Sequence, residues 1–378
     1  MTSTPFSFHA SSEALDDLRR RIRTTRWAEP IGGSGWDAGT DPAELRRLAN
    51  HWAEGFDWRQ QEEVLNALPA FTTDIGGAAV HYLRFDAEQS DALPLVLTHG
   101  WPSTFLELVD LARRLARPGE YGDPTAQAFT VIVPSLPGFV FSAPRPMFPA
   151  DLPTHEIWHR LMTDELGFPR YGAHGGDLGA GVTSRLGQVH PESVTGIHLL
   201  AVSPPADLDD NSLDADERAH LAASAAWAAQ EGGYQHQQQT RPMTLAPGLA
   251  DSPVGLLAWI VEKYRAWSDN QGILATSFSD DFILTQASLY WFTNTISTSF
   301  LPYYEHGRGL TTPVTGVAVP TGIALFPADL SQPPRRWAER SYNVHRFTHM
   351  PRGGHFAAHE EPQLLAEDIR AFFQDLSD

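Results

Sequence analysis

The chain's strongest constraint is a rhythm of short, strand-length apolar runs, each followed by a helix-like stretch. Leu93–Thr98, Phe129–Pro134, Tyr171–Ala173, Val194–Val202, Val317–Phe326 and Asn343–Met350 are the runs. Ser103–Leu115, the segment from Asp177 to about His190, and Pro362–Leu376 are the helices between and after them. Most of these runs are continuously apolar, which implies strands covered on both faces. The expected fold is therefore α/β, with a mostly parallel sheet flanked by helices. The rhythm stops across residues 204–312, where Asp/Ala-rich, Gln-rich and aromatic segments read as helices with no strand. A helical lid inserted after a strand accounts for that gap. Residues 1–85 read as a mainly helical N-terminal extension. In it, Ser12 caps a helix that buries Leu15, Leu18 and Ile22, further helices span Asp41–Trp58 and Arg59–Leu68, and a strand runs over Val80–Phe85. The expected division is 1–85 as extension, 86–203 with 313–378 as core, and 204–312 as lid.

Composition removes whole classes of chemistry. There is no cysteine among 378 residues, which excludes a thiol nucleophile, disulfides and thiolate metal sites. The net charge of −19 argues against nucleic acid and anionic membrane as partners. Lys263 is the only lysine, so Schiff-base or phosphate-loop chemistry would rest on one residue outside any known motif. The preference for Arg over Lys reads as base composition of the coding DNA. The arginines of Arg19–Arg23 read as the solvated, dipole-matched end of a helix rather than an anion site. Met1–His9 lacks the basic and apolar regions of a signal peptide, and no run approaches the ~18 apolar residues of a membrane span. The expectation is a cytoplasmic protein with no cofactor and no metal.

The segment Tyr171-Gly-Ala-His-Gly-Gly-Asp-Leu-Gly179 lies between a strand and a helix. It can be a nucleophile elbow with Asp177 in the nucleophile slot, or a turn in which Asp177 only caps the helix. The surrounding order favours the elbow. His99-Gly-Trp-Pro102 follows an earlier strand, where this architecture places an oxyanion donor, so the backbone N–H groups of Trp101 and Leu178 are the candidates. His99 itself reads as structural. Asp329 ends a later strand, and His355 follows Gly353-Gly354 beyond the next. Nucleophile, acid, histidine is the chain order of this architecture. Asp207 and Asp209 compete for the acid. His345, His349 and His359 lie near His355, with His349 expected to pack in its strand and His359 to be exposed. An aspartate nucleophile is ionised at neutral pH without help and attacks saturated carbon to give an alkyl ester. That chemistry suits epoxide opening or halide displacement, followed by hydrolysis with His355 as base.

These stretches together resemble the epoxide hydrolases of the α/β-hydrolase superfamily, of the microsomal type and its bacterial soluble relatives. Pro5-Phe-Ser-Phe8 through Trp27, His99–Pro102, Gly175–Asp177, Asp251-Ser-Pro-Val-Gly-Leu256, Leu289-Tyr-Trp291 and Arg352-Gly-Gly-His-Phe-Ala-Ala358 carry the likeness. The resemblance implies two lid tyrosines that protonate the epoxide oxygen. Tyr234 matches one, and Tyr303 the other, with Tyr304 as its competitor. It also implies a small-molecule epoxide and water as reactants, a vicinal diol as product, no membrane anchor, and a possible homodimer. Trp101, Trp291 and Tyr304 are candidates for the substrate pocket, and Trp227, Trp259, Trp267 and Tyr290 are further lid aromatics. Leu178 stands where many relatives have Trp, and Asp329 where microsomal members often have Glu. Two rivals stay open: a haloalkane-type dehalogenase using the same aspartate, and a catalytically silent ligand-binding protein.

Overall fold

The computed structural model describes residues 3–33, 35–147, 152–206 and 208–376. The described strands are β1 (Thr4–Pro5), β2 (Ala70–Ile75), β3 (Ala78–Phe85), β4 (Leu93–Thr98), β5 (Phe129–Pro134), β6 (Tyr171–Gly175), β7 (Val194–Leu199), β8 (Val317–Leu325) and β9 (Tyr342–His349). They form one sheet in the order β1-β2-β3-β5-β4-β6-β7-β8-β9. From β5 to β9 every neighbouring pair is parallel, while β1, β2 and β3 add an antiparallel edge. The parallel strands are the continuously apolar ones for a physical reason. Leu95, Val96 and Leu97 of β4 and Val131, Ile132 and Val133 of β5 are all fully buried, because helices cover both faces. The chain crosses from β4 to β5 on one side and then to β6 on the other. Its direction of winding reverses at β4 and β6, and the crevice beyond their carboxyl ends is where open α/β sheets bind ligands.

The N-terminal extension does not stop cleanly at residue 85. Residues 70–85 form the β2–β3 hairpin, which belongs to the sheet itself. Gly76 and Gly77, both at positive φ, make its two-residue turn. This glycine pair between β-branched runs is a hairpin signal that helical periodicity upstream concealed. The first helix is Ser12–Arg23 and buries Leu15, Leu18 and Ile22, but its cap is Ser11, not Ser12. Ser11 has extended backbone and accepts the Ala14 N–H, whereas Ser12 is already helical. Every arginine from Arg19 to Arg23 lies against a carboxylate of Asp16, Asp17, Asp251 or Glu54.

Helices Pro42–Glu54 and Trp58–Asn66 follow, separated at Gly55 and restarted by Asp57 as cap. The expected Ser103–Leu115 helix splits into a 3-10 turn, Phe105–Leu108, and a helix, Val109–Ala116. Thr154–Arg160 is a helix that the apolar pattern did not reveal.

The lid comprises helices Ala215–Glu231, Gly233–Thr240, Pro242–Asp251, Pro253–Trp267, Asp280–Thr293 and Leu301–Gly307. The extension grips it. Trp52 Nε1 donates to Ser288 Oγ at 2.9 Å, Thr40 Oγ1 to the Ala258 carbonyl at 2.7 Å, and Arg47 bonds Asp280. From the core, Arg145 forms two hydrogen bonds with Glu305, at 2.8 and 2.5 Å, with both side chains buried. No single helix among the described residues is long and apolar enough to cross a membrane.

Candidate active site

The helix Asp177–Val189 starts directly after β6, and its cap position is Gly176, with no side-chain capping bond. Asp177 is therefore not a helix cap. It sits at φ +48°, a conformation costing a non-glycine residue about 1–3 kcal/mol, and this holds its side chain out of the turn. The turn closes only because its flanks are bare. A Cβ on Gly175 would lie 2.3 Å from the Gly179 carbonyl oxygen, and one on Gly179 would lie 2.1 Å from that of Thr98.

The Trp101 N–H donates to Asp177 Oδ1 at 2.8 Å. The Leu178 N–H is directed at this carboxylate as well and helps to lower it. Both expected oxyanion donors thus converge on one oxygen-bearing group. His355 lies on the other side, with Nε2 3.6 Å from Asp177 Oδ2. Its Nδ1 bonds Asp329 Oδ1 at 2.7 Å. The loops carrying this pair are stitched together by a bridge between Ala328 and Gly354 and by the Ala328 N–H on the Gly353 carbonyl at 3.0 Å. The lid takes part as well, since the His355 N–H donates to the Trp267 carbonyl at 2.8 Å.

Burial resists ionisation of both groups, but each supplies the other's counter-charge. His355 is held well above the usual imidazole range by Asp329 and Asp177, against its burial. Asp177 is lowered despite burial, by His355 and by the two backbone donors. Asp177 and Asp329 thus flank the imidazole on its two sides and favour its protonated form.

Of the competing acids, Asp209 is exposed and caps a short turn, and Asp207 lies outside the described residues. The competing histidines exchange their expected places. His349 is exposed, because the edge strand β9 turns it to solvent. His359 is half-buried and stacked on Phe282 at 3.9 Å, and burial pushes it down to about 4. His99 is structural, as expected. Its Nδ1 faces the Gly100 carbonyl at 2.9 Å, and its Nε2 accepts the Leu136 N–H.

Tyr234 and Tyr303 are both 6% exposed, with ring centroids 6.1 Å apart. Trp101 lies between lid and core, parallel to Tyr234 at 5.5 Å and edge-on to Tyr303 at 5.8 Å. Burial and then the Asp177 charge raise both phenols, which places both hydroxyls in the field of that carboxylate. The Tyr303 hydroxyl has no hydrogen-bond partner of normal geometry, although it and the Tyr234 phenol are close enough to affect each other.

Tyr304 points elsewhere. It is half-buried beside Arg308, so it is neither the second lid phenol nor a pocket wall. Trp291 also leaves the site. It lines an open cleft on the outer side of the lid with Asp17, Arg21, Asp251 and Phe292. Both departures come from helix rotation, which spacing in sequence does not report.

Of two further buried residues of the site, Trp267 was named only among the lid aromatics and Glu107 escaped the sequence reading. Trp267 packs against Trp101, Tyr234 and His355 at ring distances of 6.3, 5.1 and 5.1 Å. Glu107 is buried and lines a small cavity beside Asp177, together with Ser103, His174 and His355. Burial pushes its carboxyl up to about 7. A single acid inside Phe105-Leu-Glu-Leu-Val109 was the available signal. Among the described residues, no cluster of three or more His, Asp or Glu is arranged to hold a metal ion.

Residues 3–108 match the family of epoxide hydrolase N termini, and residues 93–220 match the alpha/beta hydrolase fold. Epoxide hydrolase 1 of Sus scrofa is 34% identical, over 97% of this chain and 88% of its own length. The chain belongs to the epoxide hydrolases. The solved Aspergillus niger epoxide hydrolase aligns with a TM-score of 0.86 at 32% identity, covering 100% of this chain and 97% of that one. The juvenile hormone epoxide hydrolase of the silkworm Bombyx mori aligns with a TM-score of 0.88 at 27% identity, covering 100% and 95%. The likeness of this epoxide hydrolase to its relatives thus spans extension, core and lid together.

Proposed function

We propose that this epoxide hydrolase opens an apolar epoxide to a vicinal diol through a covalent ester on Asp177. The observation that supports the reading is that Tyr234 and Tyr303 from the lid both pack on Trp101, whose backbone N–H bonds the Asp177 carboxylate of the elbow. The Asp177 carboxylate attacks an epoxide carbon, and the C–O bond breaks with its electron pair moving to oxygen. Tyr234 or Tyr303 delivers a proton to that oxygen, because an alkoxide is a poor leaving group. Esterification removes one of the two anions that keep His355 protonated, moving the imidazole toward the neutral form a base requires. His355, oriented by Asp329, then takes a proton from water, which attacks the ester carbonyl. The backbone N–H groups of Trp101 and Leu178 stabilise the resulting oxyanion; its collapse expels the diol oxygen, which takes the proton of the nascent Asp177 carboxyl, and the proton held on His355 restores the phenol.

A single turnover of an aryl epoxide in heavy-oxygen water tests the reading. The label is expected in the Asp177 carboxylate and not in the first diol, and label in that diol would refute the ester. His355→Gln should accumulate the ester, and Asp177→Ala should form none. The buried indole N–H of Trp101 has no partner and could serve a departing halide, so halide release from haloalkanes is assayed alongside. Halide release without diol formation would favour the dehalogenase reading.

A further inference from the structure

In a chain whose other basic residues are all arginine, the single lysine occupies a buried position at the lid's catalytic face. Lys263 belongs to the helix Pro253–Trp267 and is 5% exposed. Its ammonium lies over the Tyr234 ring, 4.5 Å from the centroid, and 5.6 Å from the Trp267 ring. It pairs with the neighbouring Glu262 carboxylate. A buried charge is expensive unless it is matched. Here Glu262 and two aromatic faces match it, and cation–π attraction strengthens as water is excluded.

We propose that Lys263 is a positioning residue for ring opening: its ammonium holds Tyr234 against Trp101 and favours release of the Tyr234 proton to the epoxide oxygen. The inference rests on the reading of Tyr234 as a ring-opening acid, and it makes Tyr234 rather than Tyr303 the principal donor. The charged and titratable groups around Tyr234 explain the need. Asp177 from the elbow and Glu262 beside the lysine both oppose a developing phenolate, and Tyr303 is a neutral phenol. Lys263 is the positive group over the ring itself. As the proton leaves, the oxygen of Tyr234 gains negative charge and its attraction to the ammonium grows. The contact is therefore stronger in the transition state than in the resting enzyme.

Stopped-flow tryptophan fluorescence with an aryl epoxide separates ester formation from ester hydrolysis. Lys263→Met should slow ester formation about tenfold and change hydrolysis by less than about twofold. It should leave the substrate concentration that half-saturates ester formation within about twofold, since the lysine acts on ring opening and not on binding. Lys263→Arg should restore most of the rate. In a Tyr234→Phe background, Lys263→Met should add nothing. Lys263→Gln keeps a polar chain without charge and replaces the Met variant if that variant does not fold. Wild-type ester formation in the neutral variant would overturn the proposal. So would an equal slowing in the Tyr234→Phe background, which marks packing rather than action through the phenol. If Tyr234→Phe alone leaves ester formation unchanged, the lysine proposal fails while the ester on Asp177 stands; label in the first diol marks failure of the proposed function itself, and the two failures are thereby distinguished.

Discussion

At the scale of single residues, the site depends on groups held in states that water would not give them. Asp177 has a left-handed backbone and a largely buried carboxylate held below its usual range, and it keeps both because Trp101, Leu178 and His355 surround it. Tyr303 holds a buried hydroxyl beside the Tyr234 phenol and in the field of Asp177, the placement that ring opening asks of a proton donor. Tyr303→Phe should therefore slow ester formation about a hundredfold while folding is unharmed. Tyr304→Phe should change neither step, because that ring sits beside Arg308 and away from Asp177. Pre-steady-state fluorescence of both variants checks this, and the reverse ranking would exchange the two assignments. Sequence spacing left the neighbours Tyr303 and Tyr304 in competition. Consecutive residues on a helix point about 100° apart, and only packing decides which one faces inward.

At the scale of elements, the lid helix Leu301–Gly307 is too short to orient a catalytic phenol unaided. It is pinned two residues beyond Tyr303, where Glu305 meets Arg145 from the core in a buried pair. Glu305→Gln removes one charge and leaves the other buried, which should cost about 3 kcal/mol of stability. Ester formation should fall with it, because the helix carrying Tyr303 loses its anchor. Urea denaturation and single-turnover rates measured together check this, and an unchanged midpoint would show that the lid is held elsewhere. The strands of the core were legible almost residue by residue, since continuous apolar runs mean burial on both faces. The β2–β3 hairpin was not, because Phe71, Thr72 and Thr73 share their neighbourhood with helices whose periodicity dominates the window.

At the scale of the whole molecule, the balance of buried titratable groups sets the pH range of stability. Burial holds His81 at about 3, and His99, His155 and His359 at about 4. In the unfolded chain the same groups take up protons near 6.5. Between those limits the unfolded state binds more protons on these histidines, so stability falls as pH falls from 6.5 toward 4. Glu107 and Glu360, both pushed up to about 7 by burial, act in the opposite sense, because the native state binds their protons between 7 and about 4.5. The histidines outnumber them, so the net slope should follow the histidines. The urea midpoint is expected to be lower at pH 4.5 than at pH 7, and an equal or higher midpoint would mean that these imidazoles are not neutral in the fold.

The amino-acid sequence alone determined the parallel strands of the sheet, the elbow with its aspartate, and the chain order of the candidate acid and histidine. These are local matters: apolar runs, glycines that allow a close approach, and loops just past strand ends. The tertiary structure decided which residues of the lid and of the surrounding helices reach the site. Trp291 was turned outward, Tyr304 was set aside, His349 and His359 changed places, and Trp267, Glu107 and Lys263 were brought in. A helix offers several faces to its neighbours. The one that meets Asp177 is chosen by packing among elements far apart in the chain, and no local pattern carries that information.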